Sequence, residues 1–248
     1  MRILLPPSET KRDGGDGAPL DVRSLSFPAL AAPRRAAVRA VRELARDRDA
    51  SMTALKLGPR LAGEVDRNRA VTRSPTMPAI DRYTGVLFDA LDAPTLPVSS
   101  RRFAAERLFV HSALLGPVGA LDGIPAYRLS HDSRLPGLSL RTHWSAAVAA
   151  VLARDDGLLV DLRSEGYVGL GPAPARDGSV YLRVVTEGAD GVTRALNHFN
   201  KHAKGLLARA LLEQGEDLAT VDDLIEWAGG AGFRLRRAGP GELQLVTH

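Results

Sequence analysis

Runs of apolar residues, and the spacing at which they recur, divide the chain into short strands and amphipathic helices. Ile3-Leu4-Leu5 is an apolar run stopped by Pro6-Pro7, which cannot donate to a ladder, and it predicts a buried strand at the start. Ala37, Val38, Val41, Leu44 and Ala45 recur at helical spacing among Arg34, Arg35, Arg39, Arg42 and Arg46, which predicts an amphipathic surface helix over 34–47. Residues 51–66 read as helix, break, helix, with Gly58 as a C-cap and Pro59 opening the second helix. That junction is like a helix-hairpin-helix, whose outward N–H groups suit a phosphate, though any two packed helices joined by Gly-Pro carry the same string. Strand-like runs follow at 108–111, 158–162, 180–185 and 192–196, with helical stretches at 140–152 and 198–214 between them. Thr220 with Asp223 predicts a capping box for a short helix through Trp227, and runs at 233–236 and 242–246 predict a closing hairpin. The alternation predicts a mixed α/β (α+β) fold with a mixed central sheet, in a single domain over 1–248, since neither repeat nor linker is visible.

Composition changes this picture only where it removes chemistries. Hydrophobic residues make up 44% of the 248, enough for a sizeable core. With 33 basic against 29 acidic residues the net charge is +4, a mild excess that favours an anionic partner without requiring one. There is no cysteine, which removes disulfides, thiolate nucleophiles, iron–sulfur clusters and Cys-based zinc sites. The start of the chain is too short in apolar residues for a signal peptide and no later run approaches a membrane span, so the expectation is a soluble cytoplasmic protein, with a monomer favoured. Lysine is scarce: Lys11, Lys56, Lys201 and Lys204 are the four among the 33 cations. A lysine kept against such an arginine bias is a candidate for chemistry.

The loop after the first strand, Ser8 to Gly17, offers Ser8, Thr10, Lys11 and Arg12, hydroxyls and cations suited to phosphate or carboxylate. Its glycines predict a segment that is mobile unless something binds it. Neither a Walker A loop nor a G-x-G-x-x-G fingerprint is present, and no cofactor is expected. On the helix from His198, a projection at about 100° per residue puts His198, Lys201, His202, Lys204 and Arg209 on one broad cationic face. Phe199, Ala203, Leu206, Leu207, Ala210 and Leu211 fall on the other face, and Leu212 intrudes on the first. The cationic face is either a solvated surface or the wall of an anion-binding cleft. His198 and His202 have metal-ligand spacing, but no Glu completes an H-E-x-x-H motif and Lys201 lies between them, so no metal site is expected. No serine lies in a G-x-S-x-G elbow. Ser164, Glu165 and Tyr167 follow a buried strand, where α/β proteins place their active sites, and charged strand-end loops are also common without function.

Taken together these strings have a resemblance. Leu4 to Lys11, Tyr83-Thr84-Gly85, Ser112 to Pro117 with Leu121-Asp122, Tyr127-Arg128-Leu129 and Trp144 belong to it. So do Asp161-Leu162 with Ser164 and Tyr167, and His198 to Gly205. In order and spacing the chain resembles the YaaA family of bacterial peroxide-stress proteins over nearly its whole length. The resemblance implies a single α/β domain with a helix-hairpin-helix-like element and a basic cleft, binding to DNA including duplex with unpaired regions, and protection against iron-driven oxidative damage. Carried onto this chain, it marks Ser8, Thr10, Lys11, Tyr83, Arg128, Ser164, Tyr167, Lys201, Lys204 and Arg209. His202 and Lys204 stand where some relatives have Lys or Arg, and Ala113-Leu114-Leu115-Gly116 replaces a Gly-Leu-Tyr-Gly run.

Two functions follow as expectations. In the first, DNA or another phosphate-bearing ligand lies in the cleft on Lys201, His202, Lys204, Arg209 and Arg128 and on N–H groups near Gly58. In the second, the same cleft is the active site of an enzyme for a small anionic or nucleotide-like substrate. Lys201 or Lys204 then orients an anion or acts as nucleophile or acid, with Glu165 or Tyr167 moving protons and Ser164 a further candidate. A deep, narrow pocket favours the enzyme, and a groove about 20 Å wide favours duplex.

Overall fold

The first strand, Arg2–Leu5 (β1), has Ile3, Leu4 and Leu5 all buried, which a strand achieves only inside a sheet covered on both faces. The computed structural model describes residues 1–187, 193–195 and 199–247, and β1 lies inside its sheet, between two parallel neighbours. In chain order the first half continues with helices α1 (Ala31–Leu44), α2 (Arg48–Ala54) and α3 (Gly63–Ala70), strand β2 (Met77–Pro78), helices α4 (Ala79–Arg82), α5 (Val86–Leu91) and α6 (Val98–Arg107), and strands β3 (Leu108–Ser112), β4 (Gly116–Gly119) and β5 (Gly123–Ile124). The second half runs α7 (Leu140–Leu152), β6 (Leu159–Asp161), α8 (Glu165–Val168), β7 (Ser179–Glu187), β8 (Thr193–Ala195), α9 (Phe199–Gln214), α10 (Val221–Gly230), β9 (Arg234–Gly239) and β10 (Glu242–Thr247).

The sheet order is β4-β3-β1-β6-β7-β10-β9, with β8 added to β7. Strands β3, β1, β6, β7 and β10 run parallel, and β4 and β9 close the two edges antiparallel, so the mixed α/β class predicted from the alternation is the one formed. Leaving β1, the chain builds β3 on one side and later β6 on the other. That reversal opens a crevice beyond the carboxyl ends of the strands. β7 outruns β6: Ser179, Val180 and Tyr181 pair with β6, whereas Val185, Thr186 and Glu187 pair with β8. The stretch between the two pairings therefore edges the crevice.

The capping box on α10 and the closing hairpin are present as predicted, and α7 spans the predicted residues. Trp144 on α7 is fully buried and donates its indole N–H to the Ala113 carbonyl at 2.8 Å, tying the helix to the turn after β3. Among the described residues no helix is long and apolar enough to cross a membrane.

Four local readings are corrected. The Ser8–Gly17 loop, expected to be mobile, is held down by Arg82, whose fully buried guanidinium donates to Arg12 O at 2.6 Å and Gly14 O at 2.9 Å. Bridges from Lys11 to Tyr83 and from Gly17 to Thr76 hold it as well. Arg34, placed on the solvated side of the first helix, is fully buried and donates to Leu115 O, Ser26 O and Pro117 O at 2.8, 2.7 and 2.8 Å. In both cases backbone carbonyls of distant segments recruit an arginine that the local pattern assigns to water.

Gly58 does not cap the helix before it. Lys56 takes the left-handed conformation (φ 55°), and the N–H groups of Lys56 and Leu57 reach Thr53 O and Met52 O, a Schellman arrangement built on lysine. Gly58 is extended and precedes a 3-10 turn at Pro59–Leu61, with α3 starting only at Gly63. The α9 face is also redrawn. Lys204 lies in the buried stripe with Ala203, Leu207, Ala208, Leu211 and Leu212, while Leu206 is exposed. The reason is packing on two sides, against β7 and, through Gly205, against α5, where a Cβ on Gly205 would lie 2.2 Å from Leu87 O. His198 lies outside the described residues.

Candidate functional site

At the crevice a cavity of about 720 Å³ opens between the ends of β1, β6 and β7, the start of α5 and the first turns of α9. Ser8 and Thr10 reach it from the loop after β1, Ser164, Glu165 and Tyr167 from the end of β6, and Lys201 and Lys204 from α9. Seven of the residues marked in the sequence are thus brought to one cavity. The β1 loop approaches because Ser8 Oγ and Thr10 Oγ1 lie 3.1 Å apart and Thr10 Oγ1 donates to Thr84 O at 3.3 Å. Gly85 (φ 95°) allows this approach: a Cβ there would stand 3.3 Å from Ser8 Oγ and 3.4 Å from Thr10 Oγ1.

The two buried lysines have different surroundings. Lys204, 3% exposed, donates from Nζ to Arg163 O at 3.3 Å and lies 5.4 Å above the Tyr181 ring. Burial brings its ammonium down to about 8, against the pull of Asp161. Lys11, 6% exposed, donates to Ser8 O at 2.9 Å and Glu9 O at 3.3 Å and sits 4.1 Å from the centre of the Tyr127 ring. Burial and then the nearby Arg128 cation bring it down to about 7. Lys11 lies behind the wall, its N–H groups already engaged, whereas Lys204 lines the cavity.

Beneath the cavity is a polar core. Asp161 and Arg163 form a buried bidentate pair at 2.8 and 2.6 Å, and Arg163 Nη1 donates to His111 Nδ1 at 2.7 Å. The His111 proton is therefore on Nε2, which is buried without a partner, and burial plus Arg163 hold the ring well below its usual range, so it stays neutral. A second chain links Ser112 Oγ to Tyr127 OH at 2.7 Å and Tyr127 OH to Tyr83 OH at 2.8 Å. Burial raises the phenols of Tyr83, Tyr127 and Tyr167, which remain protonated.

Other marked residues stand apart. Tyr83 lies buried behind the wall, and Arg128 reaches the site only through an ion pair with Glu9. His202 is exposed and does not line the cavity. Arg209 is spent on Leu91 O, Asp92 O and Glu213, closing the carboxyl end of α5, and Gly58 is not at the cavity. Sequence reading missed Tyr181, Arg183, His131 and Asn200, all of which line it. Tyr181 and Arg183 were findable, since i, i+2 positions on a strand share a face. Arg183 pairs with Glu165 at 3.0 Å and Glu242 at 3.2 Å. Asn200 Oδ1 is buried with no partner. Among the described residues no three His, Asp or Glu side chains converge as a metal-ligand set.

A second basic region lies elsewhere. Arg35, Arg39 and Arg42 fall within about 60° of one another around α1 and span about 10 Å along it, with Arg46 in the turn just beyond its end. Arg69 and Arg73 face them across a shallow surface hollow. Arg35, Arg39, Arg42 and Arg73 are exposed and form no ion pair among the described residues.

Fold and site together define an α/β protein with a cavity at the switch point of a largely parallel sheet, walled by hydroxyls and a buried lysine. The chain belongs to the YaaA peroxide-stress family: the family described as "Peroxide stress protein YaaA" matches residues 1–238. It is 43% identical over 238 residues to a UPF0246 protein of Corynebacterium efficiens, with 94% of each chain covered. It is 41% identical over 238 residues, again 94% of each, to a UPF0246 protein of Corynebacterium glutamicum. A UPF0246 protein of Streptomyces coelicolor is 40% identical over 249 residues, 97% of this chain and 94% of that one.

Proposed function

We propose that this member of the peroxide-stress family works in the cytoplasm by binding, and acting on, a small anionic ligand in the cavity beside Lys204. The observation that carries this reading is the state of Lys204, which is 3% exposed inside a cavity of about 720 Å³ with a single acceptor for its ammonium among the described residues. Burying a cation with so few partners is unfavourable unless a ligand oxygen completes its shell. The volume falls within the roughly 300–1,000 Å³ usual for small-ligand sites. Ser164 and, at the β1 loop, Ser8 add hydroxyl groups, while the unpartnered Asn200 Oδ1 calls for a donor on the ligand. A phosphate or carboxylate that also carries a hydroxyl or amine, as in a sugar phosphate or nucleotide, meets both demands. Thermal-shift titration with inorganic phosphate and with adenosine monophosphate tests this. A saturable rise in Tm, larger for the nucleotide and lost in Lys204→Met, is expected; no saturable rise with either overturns it.

A second reading, DNA binding that shields against iron-driven damage, is favoured by the arginines on α1 more than by the cleft. Arg128 and Arg209 are tied into the fold, and Lys204 is out of reach of a duplex. Backbone phosphates fit an exposed arginine row. In anisotropy titrations on a duplex with an unpaired stretch, Arg35→Gln/Arg39→Gln/Arg42→Gln should flatten the log–log salt dependence by about 0.9 for each phosphate the protein no longer neutralises. Lys201→Ala should leave it nearly unchanged, and the reverse ranking returns DNA to the cleft.

A further inference from the structure

The chain has four lysines, and their placement separates them by what their nitrogens can do. Lys56 and Lys201 are exposed, Lys56 in an ion pair with Asp132. Lys11 is buried behind the cavity wall with its N–H groups held by two carbonyls and an aromatic face. Lys204 alone combines burial, a place on the cavity wall and a single acceptor among the described residues. Burial is the main force that weakens its ammonium, against the pull of Asp161 and Glu165 and with the Arg183 cation adding to it. Arg183 opposes a second cation, the Asp161 carboxylate is already matched by Arg163, and Glu165 is matched by Arg183. Because the group titrates at about 8, about a tenth of it is free amine at pH 7, far more than for an exposed lysine.

We infer that Lys204 is a nucleophilic amine and that the ligand of this cavity is an anionic carbonyl compound, an oxo acid or a phosphorylated aldehyde or ketone, which it holds as an imine. The inference rests on the small-anion reading and adds the reacting group to it. The Nζ lone pair adds to the carbonyl carbon, and one Nζ hydrogen passes to the carbonyl oxygen to give a carbinolamine. The C–O bond then breaks, and oxygen leaves as water with its own hydrogen and the second Nζ hydrogen. The product is a C=N bond from Lys204 to the former carbonyl carbon. No oxidant or reductant is required. Glu165, on the same wall and electrostatically coupled to Lys204, is the carboxylate available to relay those protons, and Lys201 at the cavity rim matches the charge of the substrate's anionic end.

The test is reductive trapping on the full chain. The protein is incubated with glyoxylate, or separately with glyceraldehyde 3-phosphate, and sodium cyanoborohydride, and adducts at the four lysines are quantified by peptide mass spectrometry. The expected result is modification of Lys204 at least tenfold faster than of Lys56 or Lys201, with a rate that levels off above a midpoint near pH 8. Inorganic phosphate should slow it, and Lys204→Arg, which keeps the charge, should abolish it. Labelling that follows exposure, with Lys56 and Lys201 first, or that still rises steeply at pH 10, overturns the inference. A phosphate-dependent rise in Tm without a Lys204 adduct would sink the imine and leave the small-anion site standing. Rapid Lys204 labelling that phosphate neither slows nor competes with would instead remove the anion subsite.

Discussion

The crevice and the outer face of α1 both carry positive charge, yet they use it in opposite ways. At the crevice the buried cation on the wall is Lys204, titrating at about 8. On α1 the cations are arginines in water, permanently charged and, among the described residues, without acidic partners at Arg35, Arg39 and Arg42. Burial makes a charge expensive and therefore chemically adjustable; exposure makes it cheap and only electrostatic. The basic residues behind the net excess of +4 thus include both a buried, titratable cation and a solvated, permanently charged row.

The strongest way to break this contrast is to remove a charge from each region. Arg163→Met leaves the Asp161 carboxylate buried and unpaired beneath the cavity and should cost about 3–5 kcal/mol in urea unfolding at pH 7. A change below about 1 kcal/mol would mean that water reaches Asp161 and the site is not dry.

The pH dependence of stability sharpens it next. Lys11 titrates at about 7 and Lys204 at about 8 in the fold, against 10.5 for a free lysine, so the unfolded chain holds more protons between those values. Stability should therefore rise with pH from about 7 toward 10. Above about 10 the raised phenols of Tyr83, Tyr127 and Tyr167 reverse the sign, because the unfolded chain then loses its protons first. Lys11→Met should flatten the rise between pH 7 and 10; urea midpoints at pH 7, 8, 9 and 10 that keep the wild-type slope would remove Lys11 as its source.

The smallest effect is expected on α1. Arg39→Gln should change stability by no more than about 0.5 kcal/mol, since the side chain is exposed and has no ion pair among the described residues. A larger loss would show that the arginine row is structural.

Much of the scaffold was legible because it follows from short-range pattern. The apolar run at Ile3–Leu5 ended by two prolines, the Thr220–Asp223 capping box and the closing hairpin all formed where periodicity and capping chemistry put them. Ser8, Thr10, Ser164, Glu165 and Tyr167 were findable at the cavity by the rule that ligands collect beyond parallel strand ends. Lys204 was found for the wrong reason. A projection gives the sides of a helix but not how many neighbours press on it, and α9 is covered on two sides by α5 and β7. Arg34 and Arg82 escaped for the same cause, because the carbonyls they satisfy come from segments distant in sequence.

By itself the sequence determined the class of fold, the positions of many but not all strands and helices, the family, and the absence of thiol chemistry, all properties carried by composition, local spacing or recurring strings. Only the tertiary structure decided which cations are buried, which glycine and which lysine take the left-handed turns, and that hydroxyls from separate segments line one cavity with a buried amine. Burial and partner geometry are set by elements far apart along the chain, and those two quantities bring the Lys204 ammonium down to about 8.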